Sequence, residues 1–431
     1  MNTLKTFLLA SVAATVLAAP ALATDVKIGV LNDRSGIYAD IAGEGSVIAA
    51  RMAAEDFDAA GKGINVEIVS ADHQNKPDVG SSIALQWYDT ENVDVIADVP
   101  TSSVGLAVNQ ITRDKNKIFL ASGPASSDLT GKACSPNTVH WTYDTWALAN
   151  GTGSAMVEQG GKSWFFVTAD YAFGHALERD TSAVVTANGG EILGAVRHPF
   201  PGQDFSSFLL QAQASGANVI GVANAGGDTI NTIKQASEFG ITQGGQSLAA
   251  LLMFINDVHA LSLEVAQGLV FTGAFYWDMN EQTREFAARF QEQNDGQKPS
   301  MIEAGVYASV LHYLKAVEAV GGKESEAVMA KMKEMPTDDP LFGQGTIRAD
   351  GRKMHDMYLF RVKKPDQSKG EWDYLETVTT IPAEQAFRPL EDGGCELVTA
   401  AATTAPAATT APAATTTEPA AGATDAAKPA Q

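Results

Sequence analysis

The chain has 431 residues, of which 45% are hydrophobic and 19% are charged, so it can bury a large core. Its length corresponds to about two to three domains of ordinary size. It has 30 Lys and Arg residues but 51 Asp and Glu residues, which gives a formal net charge of −21. A surface this acidic repels nucleic acid and anionic lipid, so neither is expected as a partner. Two cysteines are too few for a disulfide-dense small domain or an iron–sulfur protein.

The N-terminus has the pattern of a cleaved export signal. Lys5 supplies a positive charge, Phe7–Leu17 is an apolar run, and residues 21–23 have the A-x-A form of a cleavage site. The apolar run is shorter than the roughly 18 residues of a membrane span, and no later segment of the sequence is long and apolar enough to be one. We therefore expect residues 1–23 to be a signal peptide and the mature protein to be exported to the periplasm.

The C-terminus is rich in Ala, Thr and Pro from about Thr399 onwards. It contains no large apolar residue, so burial cannot offset the entropy that would be lost if it became ordered. We expect residues 399–431 to form a disordered tail outside the fold.

Strand and helix patterns alternate along the first part of the chain. The predicted strands are 26–31, 66–70, 93–98 and 118–121, and the predicted helices are 46–57, 79–89 and a segment from Val104. These strands are short, continuous apolar runs, which are typical of parallel strands that helices cover on both faces.

A second series of the same kind begins after Tyr143. Its predicted strands are 164–168, 191–197, 218–222, 248–253 and 268–272, with helices at 172–186, 205–214 and 228–239. Further helices are predicted at 281–293, 302–320 and 325–333, and late strands at 346–349, 357–362 and 372–379. The pattern predicts an α/β fold with two doubly wound halves. The late segments are expected to return to one or both of these halves.

The sequence has none of the compact signatures of catalysis or metal binding. It contains no GxSxG or HExxH motif, and its seven histidines are scattered singly. The segment Gly161-Lys162-Ser163 lacks the first glycine of a phosphate-binding loop, and a strand follows it instead of a helix. We expect no metal and no cofactor. An enzyme whose residues meet only in space stays open as a third interpretation.

The loops after the predicted strands are the expected binding region, because ligands of such sheets lie outside the carboxyl ends of the strands. In loop 98–105, the hydroxyl and backbone N–H groups near Ser102 and Ser103 suit a carboxylate, although plain helix capping is the alternative. Loop 121–127 is built of small and polar residues, which allow a ligand to approach the backbone.

Aromatic residues lie in or beside several strand-end loops and lobe connections. They are Tyr38, Tyr143, Trp146, Tyr171, Phe173, Phe254, Tyr276 and Trp277. Their rings are typical of pocket walls, and flat faces of this kind can enclose an aromatic ligand. Simple packing is the alternative for each of them.

Five segments in order carry a resemblance to a known family: VKIGVLNDRSGIYADIAG, PTSSVG, ASGPASSDLTG, DYAFGHAL and NAGGDTINTIKQA. Over about residues 25–395 the chain resembles the periplasmic substrate-binding proteins of branched-chain amino acid type ABC transporters. The resemblance implies two lobes joined by three crossovers, which close around a small ligand for a membrane permease. It divides the chain into lobe 1, at 24–143 plus 276–350, and lobe 2, at 144–275 plus 351–392.

The resemblance also implies ligand contacts. They fall on Ser102, Ser103, Gly123, Ala125, Ser126, Tyr171 or Phe173, Asn224 or the adjacent Ala225, and Asn256, and we add Tyr38 as an aromatic candidate. The amino-acid binders of the family place a carboxylate in the loop that matches Met253–His259, where Asn256 and Asp257 are the nearest candidates. The expected ligand is a branched-chain or related amino acid. There are two alternatives: the ligand is an aromatic acid, or the protein is a ligand-sensing receptor instead of a carrier.

Cys134 and Cys395 are expected to form one disulfide. Export places the chain in an oxidising compartment, and the number of cysteines is even. The bond would join the last ordered residues to the segment before the first crossover. Two free buried thiols are the alternative.

Overall fold

The structure is a computed structural model that describes residues 23–398. The predicted signal peptide up to residue 22 and the predicted tail at 399–431 lie outside the described residues. Within 23–398, no helix combines the length and the apolar character that crossing a membrane requires.

The first sheet has five parallel strands in the order β2-β1-β3-β4-β5. They are β1 (Thr24–Asn32), β2 (Ile64–Asp72), β3 (Val95–Asp98), β4 (Ile118–Ala121) and β5 (Thr138–His140). Helices α1 (Gly43–Asp56), α2 (Pro77–Asp89) and α3 (Ser102–Asp114) connect them. All residues of β3 and β4 are buried, as the continuous apolar runs predict for strands covered on both faces. We call this sheet with its helices the first lobe.

A helical segment that the sequence did not predict follows the first sheet. It consists of α4 (Thr145–Leu148), a π-helical turn (Ala149–Gly153) and α5 (Ser154–Glu158). Two glycines within the π-helical turn lower the helix propensity, which explains why the local pattern does not indicate a helix. Tertiary contacts stabilise the turn, because the hydroxyls of Thr152 and Thr272 lie 2.9 Å apart in the buried interior.

The second sheet has four parallel strands in the order β7-β6-β8-β9. They are β6 (Ser163–Ala169), β7 (Glu191–His198), β8 (Val219–Ala223) and β9 (Ser247–Ala250). The helices that connect or follow them are α6 (Ala172–Ala187), α7 (Ser206–Ala214), α8 (Gly227–Glu238), α9 (Ile255–Leu261) and α10 (Leu263–Ala266). This sheet and its helices form the second lobe, so the predicted pair of parallel α/β halves is confirmed.

A third, antiparallel sheet has the order β10-β14-β15. In chain order, the elements from β10 onwards are β10 (Val270–Gly273), α11 (Glu281–Gln293), α12 (Met301–Val320), α13 (Ser325–Glu334), β11 (Thr337–Asp339), β12 (Gly343–Ile347), β13 (Lys353–Met354), β14 (Met357–Val362), β15 (Leu375–Ile381) and α14 (Ala383–Ala386). Phe271 of β10 pairs with Phe360 of β14, and both belong to one core cluster with Ile233 and Ala250 of the second lobe. Local patterns do not reveal a pairing between strands this far apart in sequence.

The long helix α12 packs against α1 of the first lobe and is buried from Met301 to Leu314. Its start is fixed by reciprocal hydrogen bonds: Glu303 N donates to Ser300 Oγ, and Ser300 N donates to a Glu303 carboxylate oxygen at 2.7 Å. It ends at Gly321, whose φ of 69° is in the left-handed region that favours glycine.

The predicted disulfide between Cys134 and Cys395 is present, with a Cα–Cα distance of 5.7 Å. The Arg388 guanidinium also donates a hydrogen bond to the backbone oxygen of Ser127. The last described residues are therefore attached to the segment that leads out of the first lobe.

Candidate functional site

A small cavity lies between the two lobes. Its lining residues follow the carboxyl ends of strands in both parallel sheets, apart from one residue of α12 and one in the first connection. They are Tyr38, Ile41, Pro100, Gly123, Ala125, Tyr143, Tyr171, Phe173, Ala225, Leu252, Phe254 and Ile302. This is the position at which sheets of this type bind ligands.

Three aromatic side chains bring the lobes together beside the cavity. The hydroxyls of Tyr38, from the first lobe, and Tyr171, from the second, are 2.6 Å apart. The Tyr171 ring stacks on Phe200 with a centroid distance of 4.1 Å, and the Tyr38 ring lies 5.7 Å from Phe200. The structure therefore describes the lobes in a closed arrangement.

Close backbone approach between the lobes occurs at Gly226, just before α8. A Cβ atom there would lie 2.7 Å from the backbone oxygen of Ile37 and 2.9 Å from the ring of Tyr38. Gly226 has a φ of 56° as well, so both its conformation and its surroundings require glycine. A second polar contact between the lobes joins Asn256 Nδ2 to the backbone oxygen of Asp40 at 2.9 Å.

Hydrogen bonds fix the loop after β4 on the first-lobe side of the cavity. The Tyr143 hydroxyl donates to the backbone oxygen of Gly123 at 2.8 Å. The Ser102 hydroxyl accepts from the backbone N–H groups of Ala125 and Ser126, each at 3.2 Å. The tyrosine and the serine therefore position the backbone that lines the cavity.

The structure brings part of the predicted site together. The predicted residues that line the cavity are Tyr38, Gly123, Ala125, Tyr171, Phe173 and Ala225. Ser102 is buried behind Ala125, and Ser103 is half-buried on α3 outside the lining. The Ser126 hydroxyl accepts from the Asp128 N–H and caps the short turn that follows.

The remaining predicted residues lie beside the lining. Asn224 is buried in a network with His198, Thr229 and Thr232. Asp257 does not reach the cavity: its carboxylate accepts the backbone N–H of Phe254 at 2.9 Å and caps α9. Burial raises the pKa of Asp257 to about 7.

Four lining residues were not predicted as ligand contacts, although one of them, Pro100, belongs to the predicted binding loop 98–105. They are Ile41, Pro100, Leu252 and Ile302. The strand-end rule indicates three of them, because Ile41, Pro100 and Leu252 all follow strands of the parallel sheets. Ile302 comes from the start of α12, and no local signal connects that helix to the site.

Hydroxyl groups and aromatic or aliphatic side chains dominate the cavity. Burial raises the pKa of Tyr38, Tyr143 and Tyr171 well above the usual value of a tyrosine, so these phenols stay neutral and can donate hydrogen bonds. Among residues 23–398, no group of three or more His, Cys, Asp or Glu side chains is placed to hold a metal ion.

Comparison with known proteins gives a consistent result. A family model described as periplasmic binding protein matches residues 25–371. The crystal structure of a periplasmic binding protein from Burkholderia mallei is 52% identical, with a TM-score of 0.84, and the match covers 87% of this chain and 99% of that one. A branched chain amino acid ABC transporter periplasmic ligand-binding protein from Burkholderia xenovorans LB400 is 41% identical, with a TM-score of 0.77 and coverage of 86% and 99%.

A curated relative has the same character. The Leu/Ile/Val-binding protein homolog 6 of Brucella melitensis is 28% identical over 378 residues, which cover 84% of this chain and 94% of the relative. The family match spans well over half of the chain and both parallel sheets, and the two-lobed fold with a cavity at the strand ends agrees with it. The chain therefore belongs to the periplasmic binding proteins, the ligand-binding components of ABC transporters.

Proposed function

We propose that the protein captures a small carboxylate, such as a branched-chain or related amino acid, between its lobes and delivers it to the permease of an ABC importer. The observation that supports this best is the cavity itself, which the strand-end loops of both lobes enclose together. A ligand held there contacts both lobes only when they are closed, so its binding energy favours closure. No bond needs to be made or broken, and we expect bound ligand to be recovered unchanged.

The lining of the cavity supports a ligand with an apolar part. Aliphatic side chains such as Ile41, Leu252 and Ile302 favour an aliphatic side chain on the ligand. The names of the Burkholderia xenovorans and Brucella relatives, which refer to branched-chain amino acids, support the same class.

The start of α3 supports a carboxylate. This helix has 13 residues and begins at Ser102, two residues after the lining residue Pro100. The first N–H groups of a helix carry partial positive charge and have no partner within the helix, which favours an anion nearby.

An aromatic acid is the second candidate, and the aromatic lining of the cavity favours it. Five described lining residues have aromatic rings: Tyr38, Tyr143, Tyr171, Phe173 and Phe254. None of the described lining residues is acidic, whereas the ammonium group of an amino acid needs a negative partner when it is buried.

Calorimetry on protein that has been unfolded, dialysed and refolded to remove bound ligand tests the proposal. Leucine, isoleucine, phenylalanine and benzoate form the panel, with glucose and choline as controls. A ligand at about 100 times its Kd should raise the free energy of unfolding by about 2.7 kcal/mol. Binding of glucose or choline, and of no carboxylate, would overturn the proposed function. Uptake of the bound carboxylate by vesicles with the permease separates a carrier from a sensing receptor.

We further propose that the chain is exported to the periplasm with cleavage after Ala23, and that the lobes divide at the predicted boundaries. The packing of α12 on α1 supports the return of the chain to lobe 1 after residue 276. The pairing of β14 with β10 supports its later return to lobe 2. Intact-mass measurement of secreted protein tests the cleavage, and material that retains Met1 would contradict it.

A further inference from the structure

Asp98 lies directly behind the wall of the cavity, at the end of β3. Its side chain is fully buried. A Cβ atom on Gly123 would be 2.7 Å from Asp98 Oδ1 and 2.5 Å from the Cα atom of Pro100, so these three residues are in close contact. Because Gly123 and Pro100 both line the cavity, the carboxylate is only one residue layer away from a bound ligand.

The hydrogen-bonding capacity of this carboxylate is only partly used. Asn32 Nδ2 donates to Oδ2 at 3.2 Å. Oδ1 has no hydrogen bond of good geometry among the described residues, although the Ser46 hydroxyl, which has no other partner there, is near enough to lower the pKa of Asp98. Within residues 23–398, no Lys, Arg or His forms an ion pair with Asp98 in the way that Lys323 pairs with Asp94. A buried carboxylate without a cationic partner is costly when it is ionised, so a cation bound nearby would stabilise the ionised form.

The backbone that presents Asp98 is strained. Asp98 has a φ of 79° and Val99 a φ of 64°, so two consecutive residues other than glycine occupy the left-handed region. A β-branched valine is a marked exception there, and such conformations persist mainly where the surrounding structure imposes them at functional sites. The strain directs the chain from β3 into the cavity wall at Pro100.

Three other buried carboxylates lie near the cavity, and each accepts a backbone N–H group. Asp228, at the start of α8, accepts that of Gly202 at 2.9 Å, although its Oδ2 has no partner among the described residues. Glu303 accepts the Ser300 N–H at the start of α12, and Asp257 accepts the Phe254 N–H at the start of α9. Glu303 and Asp257 therefore each cap a helix. Asp98 accepts no backbone N–H group in the described part of the chain, and its neighbours are the side chains of Asn32 and Ser46.

We propose that Asp98 determines the specificity of the cavity by selecting ligands with a positively charged group, such as a primary ammonium, on the side formed by Pro100, Gly123 and Tyr143. The proposal rests on the proposed function and specifies its ligand class, a zwitterion in preference to a simple carboxylic acid. Inside the protein, two opposite charges one residue layer apart attract each other strongly, because little water screens them.

The electrostatics of the surroundings agree with this role. Burial raises the pKa of Asp98 to about 7, so without a ligand the group is only partly ionised near neutral pH. A cation in the cavity favours the ionised form and lowers this pKa. Burial raises the pKa of Tyr143, and the nearby charges of Asp98 and Asp257 raise it further.

Calorimetry with matched ligands tests the inference. Leucine and 4-methylpentanoate have the same carbon skeleton and carboxylate but differ in the ammonium group, and phenylalanine and 3-phenylpropanoate form a second pair. The proteins are the wild type, Asp98→Asn (D98N) and two comparison variants, Asp94→Asn (D94N) and Asp257→Asn (D257N). D94N removes a buried carboxylate at the opposite end of β3, away from the cavity, and its melting temperature serves as the reference for folding.

The wild type should bind the amino acid of at least one pair in preference to its deaminated analogue. D98N should weaken amino-acid binding by at least about 30-fold and change the binding of the analogue much less. D94N should bind both as the wild type does. If the wild type binds both members of each pair with equal affinity, that measurement alone overturns the inference. Loss of discrimination in D257N instead of D98N would also overturn it. If no member of either pair binds, the inference fails, and the proposed function fails as well only if benzoate does not bind either.

Discussion

The phenolic oxygens of Tyr38 and Tyr171 lie 2.6 Å apart and connect the first lobe to the second beside the cavity. The contact forms only when the lobes are closed. Its free energy therefore contributes to ligand affinity more than to the folding of either lobe.

Removing one of the two hydroxyls should weaken binding and leave folding nearly unchanged. For Tyr171→Phe we expect a Kd about 2- to 10-fold higher, which corresponds to the loss of about 0.5–1.5 kcal/mol for one hydrogen bond. The ring remains and still stacks on Phe200. Calorimetry measures the affinity, and Tyr358→Phe on β14 is the control. A drop of several degrees in the melting temperature of ligand-free Tyr171→Phe would show that the hydroxyl acts in folding instead.

The stability of the ligand-free protein should fall as pH rises from about 6.5 to 8. Burial raises the pKa of Asp98, Asp228 and Asp257 to about 7 and that of Glu303 to about 8. Over this range the folded state keeps protons that the unfolded chain has already released, so each step upward in pH favours unfolding. Lys353, whose pKa burial lowers to about 8, opposes this trend only near and above that pH.

Below about pH 6.5 the histidines change the balance. The pKa values of five histidines are lowered by burial: His73, His140, His198, His312 and His355. The unfolded chain binds protons at these positions first, so they lower stability as the pH falls and the maximum should lie near pH 6.5. Chemical denaturation across the range tests this. Glu303→Gln should flatten the slope above pH 6.5, whereas Glu285→Gln on the exposed face of α11 should not.

The side chain of Asp180 should be essential for stability where the lobes meet. One of its oxygens accepts hydrogen bonds from Ser127, at the edge of the first lobe, and from Thr145, in the connection, each at 2.6 Å. Asp180→Ala leaves both hydroxyls without this charged acceptor and should cost about 3 kcal/mol of unfolding free energy. Asp170→Ala, which removes an exposed partner of His175, should cost less than about 1 kcal/mol. Similar losses in the two variants would contradict the prediction.

Replacing both cysteines by serine should lower stability by up to about 5 kcal/mol, because the disulfide closes a loop across a sequence separation of 261 residues. Urea denaturation of the double variant and the oxidised wild type measures the difference. Thiol titration of the unfolded, unreduced wild type should detect no free thiol. Two reactive thiols would contradict the assignment.

Elements with a strong local pattern could be predicted closely from the sequence. The bounds of β4, α11 and β14 agree with the prediction, because β4 and β14 are apolar runs and Asn280 caps α11 at its start. The segment from Thr145 to Glu158 was missed because its stability comes from tertiary contacts such as that between Thr152 and Thr272. The antiparallel sheet was missed because long-range pairing leaves no local signal.

The same difference between local sequence patterns and tertiary contacts applies to the binding site. The rule that ligands bind after parallel strands indicated the loops that contain Gly123, Ala125 and Tyr171. It could not distinguish a side chain that lines the cavity from one that supports the loop, as Ser102 does through Ala125. A role for Ser102 and Ser103 in binding stays a prediction. The buried position of Asp98 behind the cavity wall becomes visible only when its neighbours in space are known.

Apart from Phe173 and Ile302, at the starts of α6 and α12, the described residues that line the cavity belong to loops that follow strands. The residues that carry the fold and those that meet the ligand are therefore largely different sets. Substitutions in one loop can alter the shape or polarity of the cavity while both sheets keep their cores. A scaffold of this kind can acquire a new ligand by stepwise replacement of loops, and randomising the loops after β3, β4 and β9 is a direct route to binders for other small molecules.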